Sequence, residues 1–263
     1  MHIETEKNPN LPLIDGHAHL NELEELEEDL KEARRRGILA IIGVGMCLES
    51  NRRVLAIGEE NPGFVFPAIG YHPWEIRKPE IRENLAFIEE NVERCVAIGE
   101  VGLDYKAKVE KALQREVFQE LVEVSVRYDK PLILHCRYSH QRVFSMISDM
   151  AVKKAVFHWY SGSLEILDQI VGAGYFISAT PAAAYSREHQ AAISKTPLER
   201  LLLETDSPVE YQGERSGPAD VVRTLEAVAM IKGITKDQVA QITTRNARQL
   251  LELESNHWPT QAP

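Results

Sequence analysis

Eight short apolar runs, each followed by a segment of helical period, constrain this chain more than any other feature. The runs cover residues 11–15, 37–44, 64–70, 95–100, 131–135, 154–157, 174–178 and 200–204. They are rich in Ile, Val and Leu and show no polar alternation, which suits strands buried on both faces in a parallel sheet covered by helices. Eight such units predict a closed β/α barrel, and 263 residues is an ordinary length for one. The expectation is therefore one domain over residues 1–263, with a frayed tail at 255–263.

The intervening segments fit that scheme. Leu23, Leu26, Leu30 and Ala33 fall on one stripe, and the acidic residues between them face outward as a solvated surface. The longest helix is expected over 109–128, with Pro131 opening the next strand. The last is expected over 235–253, with Thr235 and Gln238 forming a capping box.

Composition limits what the barrel can do. Forty acidic against thirty basic residues give a formal charge of −10, the wrong sign for wrapping long nucleic acid, so any such contact is small and local. The three cysteines, Cys47, Cys95 and Cys136, form no C-x-x-C pair, which argues against a disulfide scaffold or a zinc knuckle and fits a reducing, cytoplasmic location. No apolar run is long enough to span a bilayer, and residues 1–10 are polar.

Polar residues interrupt the runs almost entirely at their carboxyl ends. Asp15, His17 and His19 follow the first run, His72 the third, Glu100 and Asp104 the fourth, His135 and Arg137 the fifth, His158 the sixth, Glu204 and Asp206 the eighth. In a β/α barrel those ends share one rim, the face on which active sites are built. His17 and His19, two apart on extended backbone, face the same side and can chelate one cation. With Glu100, His135, His158 and Asp206 there are six candidate ligands, too many for one tetrahedral ion and suited to two ions sharing a carboxylate. Mixed imidazole and carboxylate donors suit zinc or manganese, and magnesium where carboxylates and water dominate.

In these segments the chain resembles the TatD-type metal-dependent deoxyribonucleases of the amidohydrolase superfamily. The matching stretches include Ile14-Asp15-Gly16-His17-Ala18-His19, Gly70-Tyr71-His72-Pro73, Gly99-Glu100-Val101-Gly102-Leu103-Asp104, Leu134-His135-Cys136-Arg137, His158-Trp159 and Glu204-Thr205-Asp206-Ser207-Pro208. They keep the family's order from about residue 11 to 250. The resemblance implies a distorted (β/α)8 TIM barrel, two divalent metal ions (Mg, Mn or Zn), and hydrolysis of phosphodiester bonds, often from the 3′ end of DNA. It implies that His17, His19 and Asp206 hold the first metal, that Glu100 bridges, and that His135 and His158 hold the second. A hydroxide shared between the metals would attack phosphorus, with Asp206 taking its proton, so Glu100 and Asp206 are the expected catalytic residues. His72 and Arg137 are left for substrate binding, at phosphate or at transition-state charge.

Other rim residues take lesser expected roles. Asp104 and Tyr105 would orient Glu100 or substrate, and Cys136, lacking a dedicated base, is expected to pack. Trp74, Tyr160 and Tyr185 are candidates to stack on a base. His2, His140, His189 and His257 are expected on the surface. The chain departs from the family where Trp159 replaces a common cysteine, and where Arg215-Ser216-Gly217-Pro218 replaces Arg-Asn-Glu-Pro. Two rival functions remain open at this point: an ester or amide hydrolase such as a D-aminoacyl-tRNA deacylase, and a non-catalytic metal-binding partner protein.

Overall fold

The computed structural model describes residues 11–253. Its strands are β1 (Leu13–Ala18), β2 (Ile38–Val44), β3 (Val65–Ile69), β4 (Ala97–Asp104), β5 (Leu132–Arg137), β6 (Ala155–Phe157), β7 (Phe176–Ala179) and β8 (Leu201–Leu203). They lie in chain order, each parallel to the next. The helices are α1 (Leu26–Arg35), α2 (Leu48–Glu60), α3 (Ile81–Asn91), α4 (Lys111–Tyr128), α5 (His140–Asp149), α6 (Leu164–Gly172), α7 (Arg187–Lys195), α8 (Val221–Lys232) and α9 (Lys236–Leu251). The result is the expected (β/α)8 TIM barrel.

Strand alternation divides the core in two. Inward-facing Ile14, Ala40, Ile42, Ala68, Ala97, Ile133, Val156 and Leu202 pack together with Ala247, Leu250 and Leu251 of α9. The outward faces pack against the helices in a second, larger cluster. Helix α9 lies across the amino end of the barrel, where Asn246 Nδ2 donates to the carbonyls of Leu198 and Leu201, and Thr244 Oγ1 to that of Pro12. Its start carries the expected capping box, with Thr235 N donating to Gln238 Oε1 at 3.1 Å and Gln238 N to Thr235 Oγ1 at 3.2 Å. With one end plugged, the other end is free to hold chemistry.

The distortion lies where β8 meets β1. Among the described residues a single parallel bridge, Ala18 to Ser207, joins this seam. The remaining closure comes from Asp206 N donating to His17 O (2.9 Å), His19 N donating to Ser207 O (2.7 Å), and the buried Asp15. The Asp15 carboxylate accepts from Thr205 N at 2.8 Å and meets Thr205 Oγ1 at 2.6 Å. Burial pushes its pKa well above the ordinary value, against the pull of those hydrogen bonds. Asp15 is thus a seam residue, and the seam carries His17, His19 and Asp206.

Several expectations move. Helix α4 starts at Lys111 rather than 109, and α9 ends at Leu251 rather than 253. Strands β4 and β5 run on to Asp104 and Arg137, so regular backbone carries the polar residues there. In α1, Leu30 and Ala33 are buried while Glu27 and Glu28 are exposed, as the stripe requires. The tail at 255–263, His2 and His257 lie outside the described residues. Among the described residues the three cysteines are free, and no helix is long and apolar enough to cross a membrane.

Candidate metal centre

The carboxyl end of the barrel opens into a cavity of about 510 Å³ whose lining includes His19, His72, Glu100, His135, His158 and Asp206. Close backbone approach makes this possible. A Cβ on Gly70 would stand 2.6 Å from the Gly99 carbonyl carbon, and one on Gly102, whose φ is +146°, would stand 2.1 Å from His135 O. Only glycine lets β3, β4 and β5 come this near. Asp206 and Trp159 have φ of +52° and +40°, a conformation unusual for non-glycine residues, least so for Asp, and concentrated at functional sites.

Glu100 is the hub. Its Oε2 lies 3.4 Å from Nε2 of both His17 and His19, while Oε1 lies 2.8 Å from His135 Nδ1, 3.0 Å from His158 Nε2 and 3.5 Å from His72 Nε2. Each oxygen thus faces a different set of histidines. Asp206 Oδ1 joins the first set, 3.5 Å from His17 Nε2 and 3.4 Å from His19 Nε2, and those two nitrogens are 3.2 Å apart. Donors held about 2.0–2.1 Å from one ion in tetrahedral directions stand about 3.4 Å from one another. The donor set therefore fits a first-row divalent ion without rearrangement.

The outer hydrogen bonds decide which ring nitrogens face inward with a lone pair. His19 Nδ1 sits 3.1 Å from Val44 O, His158 Nδ1 3.2 Å from Glu204 Oε1, and His135 Nε2 3.0 Å from Asp104 Oδ2. A carbonyl or carboxylate demands a proton there, so once its inward proton is lost the opposite nitrogen of each ring offers a lone pair to a cation. His72 is the reverse: its Nδ1 accepts from Trp74 N at 3.2 Å, which puts the ring proton on Nε2. Geometry alone groups His72 with Glu100 and His135 as a possible metal triad. The tautomer makes it a hydrogen-bond donor instead.

Electrostatics agrees. Burial disfavours charge on these imidazoles, yet Asp206 and Glu100 outweigh it and raise His19 to about 10. Burial is likewise overcome at His135 by Asp104 and Glu100, and at His158 by Glu100 and Glu204, and both pKa values rise. At Glu100 itself burial is outweighed by His158 and by the hydrogen bond from His135, which hold the carboxyl well below its usual range, and at Asp206 by His19. Carboxylates in this density call for positive charge, as protons or as a metal ion. At His72 burial wins, pushing it down to about 4, so it is neutral at physiological pH.

All eight candidate site residues meet at this end: the six possible ligands, His72 in the wall, and Arg137 at the exposed end of β5 lining the same cavity. Other expectations need correction. Asp104 orients His135 rather than Glu100. His189 is fully buried, not on the surface, with Nδ1 2.8 Å from Tyr160 O and Nε2 accepting from Thr180 N. His140 is half-buried against the Tyr160 ring. Tyr160 is fully buried and donates to Ser163 O, so no base can stack on it. Cys136 packs against the core as expected, and burial pushes its thiol well above the usual value.

The sequence placed Glu204 at the end of the eighth run without a role, and its Oε1 also accepts from Trp159 N at 3.0 Å. Its place directly after an apolar run was the available signal. Trp159 lines the cavity. Arg215 reaches back to Glu22 O at 3.2 Å, outside the cavity.

Residues 14–252 match the family model described as TatD-related DNase. Human deoxyribonuclease TATDN3 is 28% identical over 257 residues, covering 90% of this chain and 94% of its own. The metal-dependent hydrolase YabD of Bacillus subtilis is 31% identical over 256 residues, covering 92% and 99%. The solved structure of the TatD homolog YJJV from Escherichia coli superposes with a TM-score of 0.84 at 27% identity, covering 94% of this chain and all of that one.

Proposed function

Since the chain belongs to the TatD-related DNase family, we propose that it is a two-metal phosphodiesterase that removes nucleotides from the 3′ end of DNA. The observation that carries this reading is Glu100, whose two oxygens face two separate sets of histidines. Divalent ions held there supply Lewis acidity toward phosphoryl oxygens and lower the pKa of water.

The chain's own groups do the rest. Asp206, whose Oδ1 stands among the donors 3.4 Å from His19 Nε2, accepts the proton of the attacking water as general base. Asp104 and Glu204 fix the rings of His135 and His158, which preserves their orientation through turnover. His72 presents a neutral Nε2–H toward the cavity and Arg137 a permanent charge, so both favour the negative charge on the phosphoryl oxygens in the transition state. Human TATDN3 carries the name deoxyribonuclease, which supports DNA as the substrate.

The test is cleavage of 5′-labelled single-stranded DNA by the metal-loaded protein in magnesium or manganese. A ladder that shortens from the 3′ end, and that EDTA or Asp206→Ala abolishes, is expected. No cleavage by folded, metal-loaded protein would overturn the reading and point to carboxylic esters or amides, D-aminoacyl-tRNA among them.

A further inference from the structure

The cavity wall formed by the ends of β3, β4 and β5 continues outward as a strip of aromatic and cationic side chains that the metal chemistry does not use. Trp74 is 52% exposed although it lines the cavity, and its indole is pinned, with Nε1 donating to Asp104 Oδ2 at 2.6 Å. The other oxygen of Asp104 accepts from Lys106 N at 2.7 Å and Ala107 N at 3.1 Å, fixing the loop that follows β4. From that loop Lys106 Nζ reaches over the ring of Tyr138 at 5.3 Å. Tyr138 follows Arg137 directly, is 70% exposed, and sits in left-handed backbone with φ of +56°.

Such a large exposed aromatic has no folding reason to be there, because it buries little and its backbone is costly for a bulky residue. The cations at this place are also uncompensated. In a chain of formal charge −10, Lys106, Lys108 and Arg137 make no ion pair among the described residues. Asp104, the carboxylate that ends β4, is buried and already engaged with His135 and Trp74.

We propose that this strip, Trp74, Lys106 and Tyr138, binds the flanking, uncleaved part of a single-stranded nucleic acid whose end lies in the metal cavity. Cations spaced along a groove track phosphates, and free aromatic faces accept unstacked bases of any sequence. A duplex keeps its bases stacked and cannot use those faces. Asp104 then joins two tasks, holding His135 at the metal side and Trp74 with the Lys106 loop at the strand side. The proposal rests on the nuclease reading for what occupies the cavity.

Binding of a fluorescein-labelled hexathymidylate, followed by anisotropy with calcium in place of the catalytic metal, tests the strip apart from turnover. Tyr138→Ala should weaken binding on the order of 5- to 100-fold, the range for loss of one stacked base. Lys106→Glu should weaken it about 5-fold or more and flatten its salt dependence. Lys153→Glu makes the same charge change on a residue that precedes β6 at the far end of the barrel and pairs with Asp129, so it should leave binding as it is. Equal losses in Lys106→Glu and Lys153→Glu would reduce the effect to net charge and overturn the proposal. DNA cleavage with binding untouched by Tyr138→Ala would also overturn the strip while the nuclease reading stands. Binding that depends on Tyr138 and Lys106, with no cleavage under any metal, would support the strip and overturn the nuclease reading.

Discussion

The two histidine sets that flank Glu100 are built differently. On one side, His135 and His158 each rest a ring nitrogen on a carboxylate, Asp104 and Glu204. On the other, His19 rests on the backbone carbonyl of Val44, and His17 Nδ1 has no hydrogen-bond partner among the described residues. The anionic charge is likewise placed at different depths. Asp206 stands among the donors of the first side, whereas Asp104 and Glu204 stand behind the imidazoles of the second. Both a carboxylate and a backbone carbonyl behind an imidazole fix its orientation, and the anionic carboxylate raises its basicity more. One side is therefore held by side chains that substitution can remove, and the other by the barrel seam itself.

The largest expected effect removes what the two sides share. Glu100→Gln should lower DNA cleavage about 1,000-fold or more, the loss of several kcal/mol of metal-derived stabilisation, and metal analysis should find both sides depleted. Retention of one ion at full affinity would break the idea of a common carboxylate. Next come the supports of the second side. Asp104→Asn and Glu204→Gln should each cost roughly 10- to 100-fold in metal affinity or activity, measured by metal titration and steady-state rates. If both behave like surface substitutions, the two sides do not differ as described.

The smallest effect concerns acid stability behind the second side. Burial lowers the pKa of His189 and takes His140 down to about 4. A folded-state value below the unfolded one, about 6.5, means that full stability is present above pH 6.5 and is lost as pH falls toward 4. For His140 the loss between pH 6.5 and 5 should be about 1 to 2 kcal/mol, so the melting temperature of metal-free protein should fall less on acidification in His140→Phe than in the parent. An equal or steeper fall in the variant would contradict this.

The barrel was legible because strands buried on both faces leave continuous apolar runs, and because active-site polar groups must sit where those runs end. That rule placed His17, His19, Glu100, His135, His158 and Asp206 at one rim. What stayed hidden depends on partners far along the chain. Asp15 reads as one more motif residue, yet it closes the seam through Thr205, 190 positions away. Tyr160 and His189 read as a rim aromatic and a surface histidine, but each satisfies its polar atoms inside, 29 positions apart in the case of their mutual bond. Burial of a polar group is decided by its partner, and no local pattern carries that.

The most direct test of the central claim is a metal titration in which bound ion per chain and cleavage of 5′-labelled single-stranded DNA are read from the same samples. If Glu100 joins two metal sites, binding should reach two ions per chain and cleavage should rise with the second. Full cleavage at one ion per chain, or none at two, would contradict it.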